Sequence, residues 1–207
     1  KLIVGGVQYT EFLVPGLIMM AILQNAFMNT SSSIMISKIQ GNIIDILLPP
    51  LSSLELTIAI ALGGVARGMI VGLASVLVFS FFVDMKIFNL FYILFFAFSG
   101  SLALSLLGVM GGIWSDKFDH MSGLTNFIIT PLTFLSGSFY SIDKLPDILQ
   151  KIAKWNPFFY FIDGFRKGFI GYSDTNVLIG IVVCFVLNII LFFSVYKMFQ
   201  TGYKLRT

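Results

Sequence analysis

The sequence has one cysteine, one histidine and little charge. Cys184 lies inside an apolar run, so no disulfide forms within the chain, and the cysteine count is silent on redox compartment. One Cys and one His (His120) cannot build a zinc site. Neither G-x-x-x-x-G-K-[ST] nor G-x-G-x-x-G occurs, so phosphates are not cradled by those loops. No n-region and cleavage site precede an apolar h-region, and no signal peptide is read. Charged residues make up 11% of the 207, against roughly 25% in a soluble domain. Apolar bulk takes their place: 57% of residues are hydrophobic and the mean hydropathy is +0.94. That composition excludes an ordinary soluble domain and a disordered chain. The net charge is +3, with no dense basic stripe, so a nucleic-acid partner is excluded as well. The solvent that fits is lipid.

A membrane-crossing helix needs roughly 20 apolar residues. Five runs of that size occur, at 12–37, 56–83, 87–115, 121–142 and 175–196. They are too long, and alternate too little, for barrel strands. The expected fold class is therefore all-α, a polytopic membrane protein with a single transmembrane domain over 1–207.

Orientation follows from the loop cations. Lys1, Lys86, Lys144, Lys151, Lys154, Arg166 and Lys167 fall on one side, and Lys38, Lys117, Lys197, Lys204 and Arg206 on the other. Five of the first seven lie in the amphipathic stretch 143–171. With that stretch set aside the second side is cytoplasmic, which puts Lys1 outside and Thr207 inside.

Two connecting segments have a pattern of their own. In 38–50, Ile39, Ile43 and Ile46 recur at helical spacing before Pro49-Pro50. This reads either as a short helix on the headgroups or as a docking helix for a cytoplasmic partner. In 141–171, Leu145, Ile148, Leu149 and Ile152 share a helical face, and Asp147 and Lys151 stand at i,i+4. Trp155-Asn-Pro157 breaks that helix. Phe158, Phe159, Tyr160 and Phe161 then lead to Asp163, Arg166 and Lys167, spaced to pair with one another. The stretch reads as a helix–break–helix hairpin dipping into the outer leaflet, with an interfacial anchor as the alternative.

Arg67 is the one charge deep within a span, roughly 18 Å along a helix from Glu55 and 25 Å from Asp84. Its cost in hydrocarbon requires protein or water beside it. Gly64, Gly68 and Gly72 form a small-residue face next to it, and Gly108 and Gly112 a second. Arg67 reads either as a packing group bonded to carbonyls or as part of a substrate path. Pro131 is expected to kink its span, and Asn126 and Asn188 to sit buried as amides. No carboxylate lies inside a span, so ion-coupled transport has no evident group to run on. The 116–120 turn, Asp-Lys-Phe-Asp-His, reads as solvated.

The ordered set of segments resembles the membrane permease of ABC type-2 exporters, the bacterial arm that includes drug and polysaccharide export. The resemblance is carried by residues 9–20 (Phe12-Leu-Val-Pro-Gly-Leu17 within them), 38–50, Leu54-Glu-Leu56, Gly63-Gly-Val-Ala-Arg-Gly-Met-Ile-Val-Gly72, 131–141 and 156–171. It implies six spans, of which five are visible here and the first is absent. It implies that 38–50 is a coupling helix, with Ile39, Gly41, Ile43, Ile44, Asp45 and Leu47 docking an ATPase. Glu55 would stand at the cytoplasmic entrance, and Gly64, Arg67, Gly68 and Gly72 would shape the translocation path or helix packing. The hairpin 141–171 would be re-entrant, with Trp155, Phe158, Phe159, Tyr160 and Arg166 at an external gate. Two ATPase subunits would carry ATP and Mg, with no cofactor or metal on this chain. A second permease copy, as a homodimer, would complete the path across the bacterial inner membrane. The chain would then be a transport subunit and not an enzyme. An ATPase-independent carrier or channel, an intramembrane enzyme and an assembly subunit are the alternatives.

Overall fold

The computed structural model describes residues 3–4, 7–142 and 146–205. Lys1, Asp143, Lys144, Leu145, Arg206 and Thr207 lie outside the described residues, as does the side chain of Leu149. A short antiparallel hairpin, β1 (Ile3–Val4) and β2 (Val7–Gln8), pairs Ile3 with Gln8 and Val4 with Val7. Among the described residues the remaining regular structure is helical.

Four helices among the described residues are long and apolar enough to cross a membrane: α1 (Tyr9–Ile39), α3 (Ser53–Ser80), α4 (Leu90–Trp114) and α9 (Val177–Thr201). They overlie four of the five expected spans, and their ends follow local chemistry. Ser52 and Glu55 form a reciprocal capping box at the start of α3. The Asn89 side chain accepts from the amides of Phe91 and Tyr92, and Asn176 accepts from Leu178. Gly202, with φ 66°, ends α9 in the left-handed region where a side chain is disfavoured.

The stretch expected as a span at 121–142 differs. It is helical from Phe118 to Phe134, in three pieces: α5 (Phe118–Leu124), a π-helical turn (Thr125–Ile129) and α6 (Thr130–Phe134). Pro131 has no N–H to return to the preceding turn. The chain widens just before it, and the Thr130 amide reaches back five residues to the Thr125 carbonyl. The helix is thus shorter than expected, and the charge-free sequence continues past its end into irregular chain.

α1 is the inner wall of the bundle. Phe12, Ile18, Met19, Leu23 and Ala26 are fully buried on it, against α3, α4 and α8 (Pro157–Ile170). Close approach depends on small residues. A side chain at Gly64 would collide with Ser105 and Thr30, and one at Gly108 with Thr30 and the Phe27 carbonyl. Hydroxyls bind the same crossing: Thr30 donates to the Ser105 carbonyl (2.8 Å), and Ser105 donates to the Ala61 carbonyl (2.9 Å). Each such bond between membrane helices contributes about 0.6 kcal/mol on average. Asn188 is half-buried and donates to the Ser99 carbonyl and hydroxyl. Asn126, expected to be buried, is exposed on the π turn. Its segment stands at the rim of the bundle, where a side chain has no second helix to face.

Candidate functional site

The chain between α1 and α3 turns sharply at Gly41, whose φ of 77° puts it in the left-handed region. It then forms the single short helix α2 (Ile43–Leu47). The set Ile39, Gly41, Ile43, Ile44, Asp45 and Leu47 does not share one face. Ile43 is buried against the bundle and Ile46 is half-buried. Ile39, Ile44, Leu47 and Leu48 are exposed, Ile44 at 58%, and Asp45 is exposed beside them. α2 is therefore seated by Ile43 and Ile46 and presents an apolar surface away from the protein. Clefts of about 490 Å³ and 260 Å³ flank it.

The floor of the larger cleft is an ion-pair cluster. Asp116 takes Lys38 at 3.3 Å and Lys204 at 3.0 Å. The two ammonium groups hold its carboxyl below the usual carboxylate range. Lys38 also donates to the carbonyls of Ile113 (2.7 Å) and Ser115 (2.9 Å), and Lys204 to that of Trp114 (3.0 Å). Both lysines thereby satisfy the free carbonyls at the C-terminus of α4. The turn at 116–120, expected to be solvated, is exposed throughout, and Asp116 is in addition the meeting point of three chain segments. No local pattern announces it, because its partners lie 78 and 88 residues away.

Glu55 has a structural explanation. Its carboxylate accepts from the Ser52 amide and hydroxyl, each at 2.8 Å. The S-x-x-E spacing carried that signal in the sequence.

Arg67 stands near the middle of α3, exposed on the surface of the chain, and its guanidinium donates to the Asn29 side-chain carbonyl at 3.3 Å. The neighbouring glycines face the other way, Gly64 and Gly68 onto α1 and α4, and Gly72 onto Ile22. Beside Asn29, the outward face of α1 carries Ser32, Ser33 and Ser37, whose hydroxyls fold back onto carbonyls of their own helix. A polar lane with one cation thus runs along the outside of α1 and α3, on helices long enough to cross a bilayer.

α7 (Asp147–Trp155) and α8 meet at Asn156. The Asn156 side chain caps α8 by accepting from the Phe158 amide, and donates to the Leu132 carbonyl at 2.7 Å. Pro157 at the first helical position needs no amide partner. The residues expected at an external gate divide here. Trp155 is 89% exposed, with Ile148 and Ile152 also facing out from α7, and Tyr160 is half-buried. Phe158, Phe159 and Arg166 are buried.

The expected pairing of Asp163 with Arg166 does not occur. The Asp163 carboxylate instead accepts from the Ser173 and Thr175 hydroxyls (2.7 and 2.9 Å) and from the Asp174 and Thr175 amides (2.9 and 3.3 Å). Gly171, at φ 72°, ends α8 and turns the chain so that these donors come back onto Asp163. Arg166 points elsewhere. Its guanidinium lies 3.8 Å from the centre of the Phe12 ring and donates to the Gly137 carbonyl at 2.7 Å. Asp147 and Lys151, at favourable spacing, likewise make no ion pair among the described residues.

Residues 2–170 match the family described as ABC-2 type transporter. The chain is 34% identical over 202 residues to the inner membrane transport permease YadH of Escherichia coli (strain K12), covering 98% of this chain and 79% of that protein. The YadH of Shigella flexneri matches to the same extent. Nodulation protein J of Rhizobium leguminosarum bv. viciae is 33% identical over 84 residues, 40% of this chain and 32% of its own length. With its four membrane-crossing helices, the chain is a multi-pass inner membrane transporter subunit and belongs to the ABC-2 type transporter permease family.

Proposed function

We propose that this chain is the membrane half of an ATP-driven exporter, coupled through α2 to separate cytoplasmic ATPase subunits that bind ATP and Mg. The observation that carries the reading is the outward apolar surface of α2, in which Ile44, Leu47 and Leu48 stand exposed beside Asp45 while Ile43 anchors the helix. Exposed isoleucine and leucine on one turn of helix, at the end of the bundle that carries Lys38, Lys117, Lys197 and Lys204, suit a hydrophobic cleft on a cytoplasmic partner. Two copies of the permease pair, each with one ATPase beneath it. The polar lane of Arg67, Asn29 and the α1 serines supports the pairing, because lipid is a poor cover for a guanidinium at mid-membrane. In the pair this lane borders the path of the exported compound. The α7–α8 hairpin enters the outer leaflet, with Trp155 and the exposed isoleucines of α7 turned away from the bundle.

The test is co-purification of the full-length permease with its ATPase in mild detergent. Ile44→Asp and Leu47→Asp are expected to lose the ATPase while the permease stays folded. Ile43 is the wrong position to change, since it packs into the bundle. An ATPase that remains bound to both variants overturns the docking assignment. Export that survives ATP depletion moves the protein to the ATPase-independent carriers.

A further inference from the structure

Behind the broken helix 118–134 lies a slot that no part of the transport reading uses. Its volume is about 480 Å³, and its walls are almost wholly apolar. Leu104, Leu107 and Trp114 of α4 form one side and Leu187 of α9 another, with Ile128 and Leu132 opposite and Phe158 at the end away from Trp114. Two of these helices cross the membrane, so the slot lies at hydrocarbon depth. It exists because α5, the π turn and α6 stand off from α4. Phe127 is 83% exposed and Ile128 is half-exposed on that segment.

The mouth differs from the walls. Trp114 marks it, with the His120 ring 5.9 Å away and the Lys204 ammonium 5.7 Å from the Trp114 ring. Asp116 is held between Lys38 and Lys204. Lys117 stands at the start of α5, and Lys197 adjoins Met198, which lines the slot. Among the described residues neither lysine has an ion pair, and Asp119 is the other carboxylate at this rim. An apolar slot at hydrocarbon depth, opening beside an interfacial tryptophan onto unpaired lysines, has the polarity profile of one phospholipid: acyl chain inside, phosphate at the rim.

We propose that the slot binds the acyl chain of an anionic phospholipid of the cytoplasmic leaflet, with Lys117 and Lys197 holding its headgroup. The lipid fills the gap between the broken helix and the bundle, and keeps that helix seated.

The test uses the full-length permease in detergent, titrated with brominated phosphatidylglycerol or brominated phosphatidylcholine. Bromine quenches a nearby indole, and the Trp114 contribution is isolated by subtracting the Trp114→Phe variant. Quenching is expected to saturate at a single phosphatidylglycerol per chain. Gly111→Leu is the slot-filling variant. A Cβ there meets Met121 at 3.5 Å and Leu124 at 3.7 Å, which are ordinary contacts, so the added atoms extend into the slot without displacing backbone. It should weaken phosphatidylglycerol binding about tenfold or more, with Leu107→Phe as a second filler if the first folds poorly. Lys117→Gln with Lys197→Gln should weaken phosphatidylglycerol and leave phosphatidylcholine unchanged. Quenching that rises without saturation, or is indifferent to both fillers, overturns the site. Equal affinity for the two lipids overturns the anionic assignment. A disulfide between two copies carrying Ile128→Cys, formed with lipid present, shows that a second chain covers the slot and overturns the proposal.

Discussion

Two arginines lie among the apolar helices of this permease, in opposite surroundings. Arg67 is at the middle of a membrane-crossing helix, yet it is on the surface of the chain with one side-chain partner. Arg166 is near the outer end of the bundle, yet it is wholly buried, stacked on Phe12, with its Nε and Nη1 atoms unpaired among the described residues. Depth along a helix and depth within the protein are separate coordinates. A charge at mid-membrane on the outside of one chain needs a cover from beyond that chain. A charge buried inside the chain is fixed by what surrounds it, and belongs to the stability of the fold.

The contrast is tested most severely at Asp163. Asp163→Ala strips the acceptor from four donors and removes the carboxylate near Arg166, so a loss of about 3–5 kcal/mol is expected in detergent unfolding. Arg166→Met should lose less, because an apolar side chain of similar volume replaces a buried charge that is poorly satisfied. If Asp163→Ala melts like wild type, the outer end of the bundle is not held as described.

Next in size is the helix crossing behind Arg67. Gly108→Ala places a methyl 2.5 Å from the Phe27 carbonyl oxygen and should cost about 1–3 kcal/mol in the same melt. Gly63 has nothing within 4 Å of an added Cβ, and Gly63→Ala should gain up to about 1 kcal/mol from helix propensity. Equal effects at the two positions would break the distinction between the packed crossing of α4 on α1 and the outward face of α3.

A smaller effect is expected at Asp116, which is exposed to solvent. Its carboxyl titrates lower folded than unfolded, so its stabilising contribution is complete above the ordinary carboxylate range and is lost as pH falls through the lowered value. Wild-type and Asp116→Asn melting curves should separate at neutral pH in low salt and converge in acid or high salt. Smallest of all is Arg67→Gln, which should change the stability of the isolated chain by no more than about 0.5 kcal/mol, while export by the assembled transporter falls. A stability loss matching that of Asp163→Ala would place Arg67 inside the fold and abolish the contrast.

Much of the fold was legible because charge-free runs bounded by Glu, Asp and Lys leave few options in lipid. The small-residue faces were legible for a similar reason, since glycine at i+4 spacing has few uses other than close approach. The extent of the 118–134 helix was not. The sequence stays free of charge through Leu135 to Ile142, and only Pro131 and the Ser136-Gly-Ser138 run, with Gly137 at φ 75°, mark where the helix weakens and ends. The candidate sites were less legible still. Asn126 and Asn188 read alike, yet one faces outward and the other bonds to Ser99, because a lone amide does not say which helix is opposite. Asp163 and Arg166 stand at ideal spacing to pair, and a glycine turn returns better partners to Asp163. The capping box at Ser52 and Glu55 was open to view, and its carboxylate is a helix cap.

The Asp116 cluster has a mechanical consequence. Lys38 belongs to the last turn of α1, its ammonium closes the end of α4, and through Asp116 it is joined to Lys204 beyond α9. α2 follows α1 directly across the Gly41 turn. A thrust applied to α2 therefore does not load a single rod. It reaches a riveted joint of three, whose members separate only if the carbonyls at the end of α4 lose their donors.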